Sequence, residues 1–340
     1  AGHHDPEIRE REGVDDVRSL LADVVAREPL AVADGRSGSL LERVVLAGGE
    51  TLVVKHARDG GDWIMRASHD HGRAAELWSS GVLARVPGVV EHAVLAAEPA
   101  GDGWVVIMRD MSAALVPDHA RLRRDDSRRV LEAAAALHAA FWDEPPLALC
   151  PMVDRYQFLS PATARREAGG ADEVPKLIGR GWERFAEVVP AEVAEPVLAV
   201  LERPEPFAAA LSARPSTLIQ GDLKLGNLGF TEDRVVMLDW GTQTGWAPPA
   251  VEAAWYLAIN WSRIDASREQ VLDDFRAAEG ERHDEHALRL ALLGGLVQLG
   301  WDKALHASGH PDPAVRAREA ADLAWWTARA REALEGWSPS

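Results

Sequence analysis

Two neighbouring segments restrict this chain more than any others. They are Ile219-Gln220-Gly221-Asp222-Leu223-Lys224-Leu225-Gly226-Asn227 and Val235-Val236-Met237-Leu238-Asp239-Trp240-Gly241. Thr217 to Ile219 is a short apolar β-type run, and Gly221 allows a sharp turn after it, so Asp222 is expected on a tight loop. Val235 to Leu238 is a second β-type run that carries Asp239 at its end. Gly229 to Asp233 reads as a hairpin turn, which would draw Asn227 and Asp239 together. An isolated Asp or Asn is ordinary in a loop, where its side chain bonds the local backbone. The ordered set is more informative. Phosphoryl transfer from a Mg²⁺-nucleotide to a hydroxyl needs one carboxylate for the hydroxyl and oxygen ligands for a hard divalent cation. Asp222 is the candidate base, and Asn227 and Asp239 are the candidate metal ligands.

The D-x-K-x-x-N…D-W-G order resembles the catalytic and metal loops of the aminoglycoside phosphotransferase family, whose fold is similar to that of eukaryotic-type protein kinases. Gly245-Trp246-Ala247-Pro248-Pro249-Ala250-Val251-Glu252-Ala253-Ala254-Trp255-Tyr256-Leu257 and Ala136-Leu137-His138-Ala139-Ala140-Phe141-Trp142 extend the resemblance. It implies a bilobal α+β fold, with an N-terminal antiparallel sheet lobe and a mainly helical C-terminal lobe. It also implies ATP as phosphate donor, with GTP as an alternative, together with Mg²⁺. By the same resemblance Lys224 touches the γ-phosphate. Two positions depart from the family: Gln220 stands where His is usual, which bears on loop packing, and Glu252 stands where Asp is usual.

The front half offers candidates for the remaining kinase parts. Thr51-Leu52-Val53-Val54-Lys55-His56 is a β-type run after a Gly48-Gly49 turn. Gly72 to Val86 is helix-like and contains Glu76. A Lys55–Glu76 pair matches the strand lysine and helix glutamate of a kinase, and the resemblance gives Lys55 the α/β-phosphates and Glu76 the task of orienting it. Gly35, Ser37, Gly38 and Ser39 form a turn of small residues between two β-runs, a candidate phosphate-covering loop. No G-x-x-x-x-G-K-[ST] sequence occurs, which argues against a P-loop kinase. Gly103 to Met111 reads as the last strand of the first lobe and a hinge. There the backbone of Arg109 to Met111 would bond the nucleotide base, with Met108 or Met111 packed on it.

Length allows two lobes: 340 residues divide into 1–109, a nucleotide-binding lobe with a leading helix, and 110–340, a catalytic and acceptor-binding lobe. A net charge of −17 argues against nucleic acid or an anionic membrane as partner. Cys150 is the only cysteine, so an intramolecular disulfide and a thiolate zinc site are both excluded. With no long apolar stretch and a polar start, a cytoplasmic setting is expected, with no obligatory protein partner. His69-Asp70-His71 reads as a solvated loop. Glu252, Asp265 and Asp302 are candidate cation partners for an acceptor. Trp240, Trp246, Trp255 and Trp261 are read as core first and as a wall for the acceptor second.

Helices are expected over 15–27, about 125–142, 176–189, 191–212, 250–262, 285–307 and 313–335, with 145–175 irregular. The activity these readings imply is transfer of a γ-phosphate to a hydroxyl of an amino sugar, an antibiotic or a related metabolite. The rivals are a choline, sugar or homoserine kinase of the same fold, and a nucleotide-binding pseudokinase-type regulator without turnover.

Overall fold

A computed structural model describes residues 16–30, 40–145 and 149–338. Residues 31–39, and with them Gly35, Ser37, Gly38 and Ser39, lie outside the described residues. The first part is an antiparallel sheet of β1 (Val24–Pro29), β2 (Leu40–Leu46), β3 (Thr51–Arg58), β5 (Val94–Ala100) and β6 (Gly103–Arg109), in the order β1-β2-β3-β6-β5; the short strand β4 (Val90–Glu91) belongs to another sheet. Strand side chains alternate between faces. Leu52 and Val54 of β3 join Val44, Ala96, Val105 and Ile107 in a small core on one face. Lys55 therefore points to the other face, where the helices Trp63–Ala67 and Arg73–Ser79 lie.

The expected leading helix is corrected. Only Val17–Leu20 is helical, capped by Asp16, and Val24 onward pairs with β2 as the edge strand β1. Pairing with an exposed sheet edge outweighs the apolar helical pattern of these residues, because Val24 and Val25 are β-branched. The helix expected over 72–86 ends at Ser79, where Gly81, at φ +74°, turns the chain away.

The rest is mainly helical. The strand β7 (Leu122–Arg123) leads into the helix Arg124–Ala140, and Val130, Ala134, Leu137 and the following Phe141 are all buried, as their spacing predicts. Asp125 and Asp126 lie in its first turn, where they complement the helix dipole. Residues 145–175 are not irregular throughout: Met152–Gln157 and Pro161–Glu167 are helices, the second capped by Ser160. Val174–Val188, Ala191–Glu202 and Glu205–Ser212 follow. After the strands of the site come helices Pro249–Asn260, Arg268–Glu279, Glu285–Gly309 and Pro313–Leu334. The second of these four was not anticipated; Ser267 and Gln270 start it with a reciprocal capping box. The buried Lys303 donates to Asp322 (2.6 Å) and to the Ala258 carbonyl (2.9 Å), and Arg268 donates to the same Asp322, so one carboxylate ties several helices.

Strand β8 (Thr217–Ile219) pairs antiparallel with β11 (Gly245–Ala247), placing residues 243–245 beside 219–221. Strands β9 (Leu228–Phe230) and β10 (Val235–Met237) form the expected hairpin, with Leu228 opposite Met237. β10 also runs parallel to β4. β12 (Ile264–Asp265) pairs with β7.

Candidate active site

The hairpin register sets the site. With Leu228 opposite Met237, the next residues outward are Asn227 and Leu238, and the Leu238 N–H donates to the Asn227 carbonyl at 2.8 Å. Asp239 is one residue further. It adopts φ +60°, unusual for a residue with a side chain and a place where backbone strain is held. Gln220, the departure from the family pattern, proves to be a brace. Its Nε2 donates to the Leu238 carbonyl (2.8 Å) and its Oε1 accepts from the Asp222 N–H (2.7 Å). One neutral side chain thus ties the two acid-bearing loops together.

Asp222 is partly exposed and has its carboxylate gripped on both oxygens. Oδ2 accepts from Asn227 Nδ2 at 3.0 Å and lies 3.3 Å from Lys224 Nζ. Oδ1 accepts from the Trp255 indole N–H at 3.0 Å. Asn227 spends its Nδ2 on the Asp222 carbonyl and carboxylate, so the oxygen of its side-chain amide is the atom that could serve as a ligand. Asp239 supplies a carboxylate that the Lys55 charge lowers to about 2, with Lys224 adding to the effect against burial. Two hard oxygen donors, one of them anionic, are the kind of set Mg²⁺ takes alongside substrate phosphates, so these residues fit that ion.

Lys55 is placed as expected but partnered differently. Its Nζ donates to Asp239 Oδ1 at 2.7 Å, while Glu76 is exposed on the outer side of its helix. The predicted Lys55–Glu76 pair is therefore corrected: the buried residues next to Glu76 are Ala75 and Leu77, which turns the glutamate outward. Burial works against the Lys55 charge, but Asp239, then Asp70 and Asp62, outweigh it and hold the ammonium above its ordinary range. Asp62 caps the helix Trp63–Ala67 through the Met65 N–H (2.8 Å). Asp70 belongs to the His-Asp-His run read as a solvated loop, yet it is buried. It accepts from the Gly72 and Arg73 N–H groups and from the Thr242 hydroxyl (3.0 Å), fastening the sheet part to the segment after Asp239.

At the expected hinge, the Arg109 N–H is already bonded to the Ala93 carbonyl (2.9 Å), and its guanidinium pairs with Glu91 (2.6 Å). The Arg109 amide is thus not available to a nucleotide base. Met111 is half-buried, and its carbonyl accepts from Ala114 (2.8 Å).

Among the residues that support this loop, Gly221 sits at the expected turn, while Arg155 and Glu279 were not anticipated. Gly221 has φ +90°, and a Cβ there would lie 1.9 Å from the Gln243 carbonyl oxygen. Its N–H donates to Glu252 Oε1 (2.7 Å), and its carbonyl accepts from the fully buried Arg155 (3.0 Å), which also binds the Gln243 carbonyl (3.1 Å). Glu252 Oε2 meets His138 Nε2 at 2.8 Å, and His138 Nδ1 meets Glu279 Oε1 at 2.6 Å, all in the interior. Burial alone would lower the His138 pKa, but hydrogen bonds and charge from Glu252 and Glu279 raise it to about 9. Glu252 is thus a loop anchor and not an acceptor partner. Asp265 is paired with Arg121 and Asp302 with His306. Trp240 and Trp255 are buried; Trp246 and Trp261 are half-buried, with Arg268 over the Trp261 ring at 3.9 Å.

Gly221→Ala should be severe. Positive φ and the overlap with Gln243 together should cost about 3 kcal/mol, and the displaced loop should lower turnover as well. Denaturant unfolding and an activity assay on the same preparation check this; unchanged values would contradict the geometry.

Residues 31–292 match the phosphotransferase enzyme family (APH), and the chain belongs to it. It is accordingly an enzyme of the phosphotransferase class. Its fold is similar to that of an aminoglycoside phosphotransferase from Alicyclobacillus acidocaldarius (17% identity, 93% of this chain and 94% of that one, TM-score 0.51). It is also similar to the choline kinase LicA from Streptococcus pneumoniae (11%, 92% and 96%, TM-score 0.53). A third similar structure is the aminoglycoside phosphotransferase APH(3'')-Id from Streptomyces rimosus in complex with ADP and streptomycin (16%, 83% and 96%, TM-score 0.51). Among curated proteins, none matches the chain in sequence. No helix of the described residues is long and apolar enough to cross a membrane.

Proposed function

We propose that this enzyme transfers the γ-phosphate of ATP, with GTP as an alternative donor, to a hydroxyl of a small molecule such as an amino sugar, an antibiotic or a related metabolite. The carrying observation is the Asp222–Asn227 side-chain bond at 3.0 Å next to a hairpin whose register sets Asp239, held by Lys55, one residue beyond the backbone bond between Leu238 and Asn227. In this reading residues 1–109 form the nucleotide-binding lobe and 110–340 the catalytic and acceptor-binding lobe. Lys55 would hold the α/β-phosphates. The Asn227 amide oxygen and the Asp239 carboxylate would hold Mg²⁺, which would supply neutralisation of phosphate charge. Asp222 Oδ1 accepts a hydrogen bond from the acceptor hydroxyl and takes its proton as the O–P bond forms. Lys224, 3.3 Å from Asp222 Oδ2, is placed to offset charge on the transferred group. Gly35, Ser37, Gly38 and Ser39 cover the phosphates, and the backbone at Met111 meets the base.

An ADP-release screen with Mg²⁺ over amino sugars, sugars, choline-like amines and macrolides tests the reading. At least one class should raise ADP release well above the acceptor-free rate. Nucleotide binding with no acceptor-dependent release would instead support a regulator without turnover.

A further inference from the structure

The Trp255 indole directs its N–H at the Asp222 carboxylate, a charged acceptor, where a buried tryptophan could equally be satisfied by a backbone carbonyl, as Trp182 and Trp240 are. It is buried in the helix Pro249–Asn260, yet its N–H donates to Asp222 Oδ1 at 3.0 Å. Its ring is held from two sides. The Phe158 ring lies at 6.3 Å between centroids, and the Arg155 guanidinium sits 5.7 Å from the Trp255 ring centroid while it binds the carbonyls of Gly221 and Gln243. Asp222 Oδ2 faces Asn227 and Lys224, so Oδ1 is the oxygen left to meet an acceptor hydroxyl. A carboxylate oxygen has lone pairs for two donors. The indole occupies one and thereby orients the other.

We propose that Trp255 is a positioning residue for phosphoryl transfer. Its N–H fixes the plane of the Asp222 carboxylate so that the second lone pair of Oδ1 points at the acceptor hydroxyl. The bond joins a neutral donor to a charged acceptor, a kind worth about 1.5–3 kcal/mol, or roughly 10- to 100-fold in rate if it is fully used in the transition state. This inference rests on Asp222 as the base of the proposed reaction.

Trp255→Phe keeps an aromatic ring but removes the indole N–H together with the five-membered ring, so kcat is expressed per folded molecule and thermal stability is measured beside it. With Mg²⁺·ATP and an acceptor from the screen, kcat should fall about 10- to 100-fold, with the nucleotide KM and the Mg²⁺·nucleotide affinity unchanged. A merely structural tryptophan would lower thermal stability and leave kcat per folded molecule alone, and that result overturns the inference. If Trp255→Phe does not fold, the indole ¹H–¹⁵N spectra of the wild type and Asp222→Asn decide. One indole resonance should move strongly upfield when the charged acceptor is replaced by an amide; no such change overturns the inference. The two readings also separate. Full turnover in Asp222→Asn would remove the base assignment itself, whereas an inactive Asp222→Asn beside a fully active Trp255→Phe would remove only the role of the indole.

Discussion

Asp222→Asn should lower kcat on the order of a thousandfold while Mg²⁺·ATP still binds with unchanged affinity. The substitution is nearly isosteric, and the backbone of residue 222 is held independently of its side chain by Gln220 and Asn227, so the loop keeps its shape. What is lost is the carboxylate proposed to take the acceptor's proton; the other one, Asp239, is paired with Lys55. Lys55 and Asp239 remain to bind phosphate and metal. Single-turnover assays and nucleotide titrations on the purified variant separate the two effects. An active variant would move the proton transfer elsewhere; one that lost nucleotide binding would place Asp222 among the binding groups instead.

The second large effect lies away from the reacting atoms. His138→Ala should destabilise the fold by about 3–5 kcal/mol, because it leaves two buried carboxylates, Glu252 and Glu279, facing one another without the imidazolium between them. Turnover per folded molecule should fall too, since Glu252 Oε1 holds the Gly221 N–H next to Asp222, the proposed base. The pH dependence has a definite sign. A histidine raised from 6.5 to about 9 in the folded state binds its proton more tightly there than in the unfolded chain. Its stabilising contribution is complete below pH ~6.5 and is lost as pH rises through ~9. Denaturant midpoints across pH 6–10 should therefore fall for the wild type and show a flatter course for His138→Ala. Equal slopes would indicate that His138 is neutral in the folded protein.

The parts of this site that follow from local sequence were legible in it. A glycine before an acid, apolar β-runs and a polar turn between them specify strand, loop and hairpin, and the hairpin register then carries Asn227 and Asp239 together. The face of the helix Arg124–Ala140 was legible for the same reason, because apolar residues repeat at the helical period. Side-chain direction in a short helix was not. Over the seven residues Arg73–Ser79 the periodicity is too brief to show that Glu76 faces outward, and the acids around Lys55 turned out to be Asp239, Asp70 and Asp62. Nor does local sequence carry a signal for Arg155 on the Gly221 carbonyl, or for Trp255 on Asp222. Those contacts join residues 66 and 33 positions apart, and only the packed tertiary structure sets them. The leading segment failed in a different way. Its apolar pattern suits a helix, but an unpaired edge at β2 offers backbone hydrogen bonds that a surface helix cannot match, and Val24 onward takes them.

Calorimetric titration of ATP, with and without Mg²⁺, into the wild type and Asp239→Asn is the most direct test that the converging oxygens form a metal–nucleotide site. Mg²⁺ should tighten nucleotide binding by the wild type and do so little or not at all in Asp239→Asn, where Lys55 loses its carboxylate partner and the metal loses its charged ligand. An equal Mg²⁺ effect in both proteins would contradict the assignment of Asp239, and with it the arrangement of Asp222, Asn227 and Asp239 around a divalent cation.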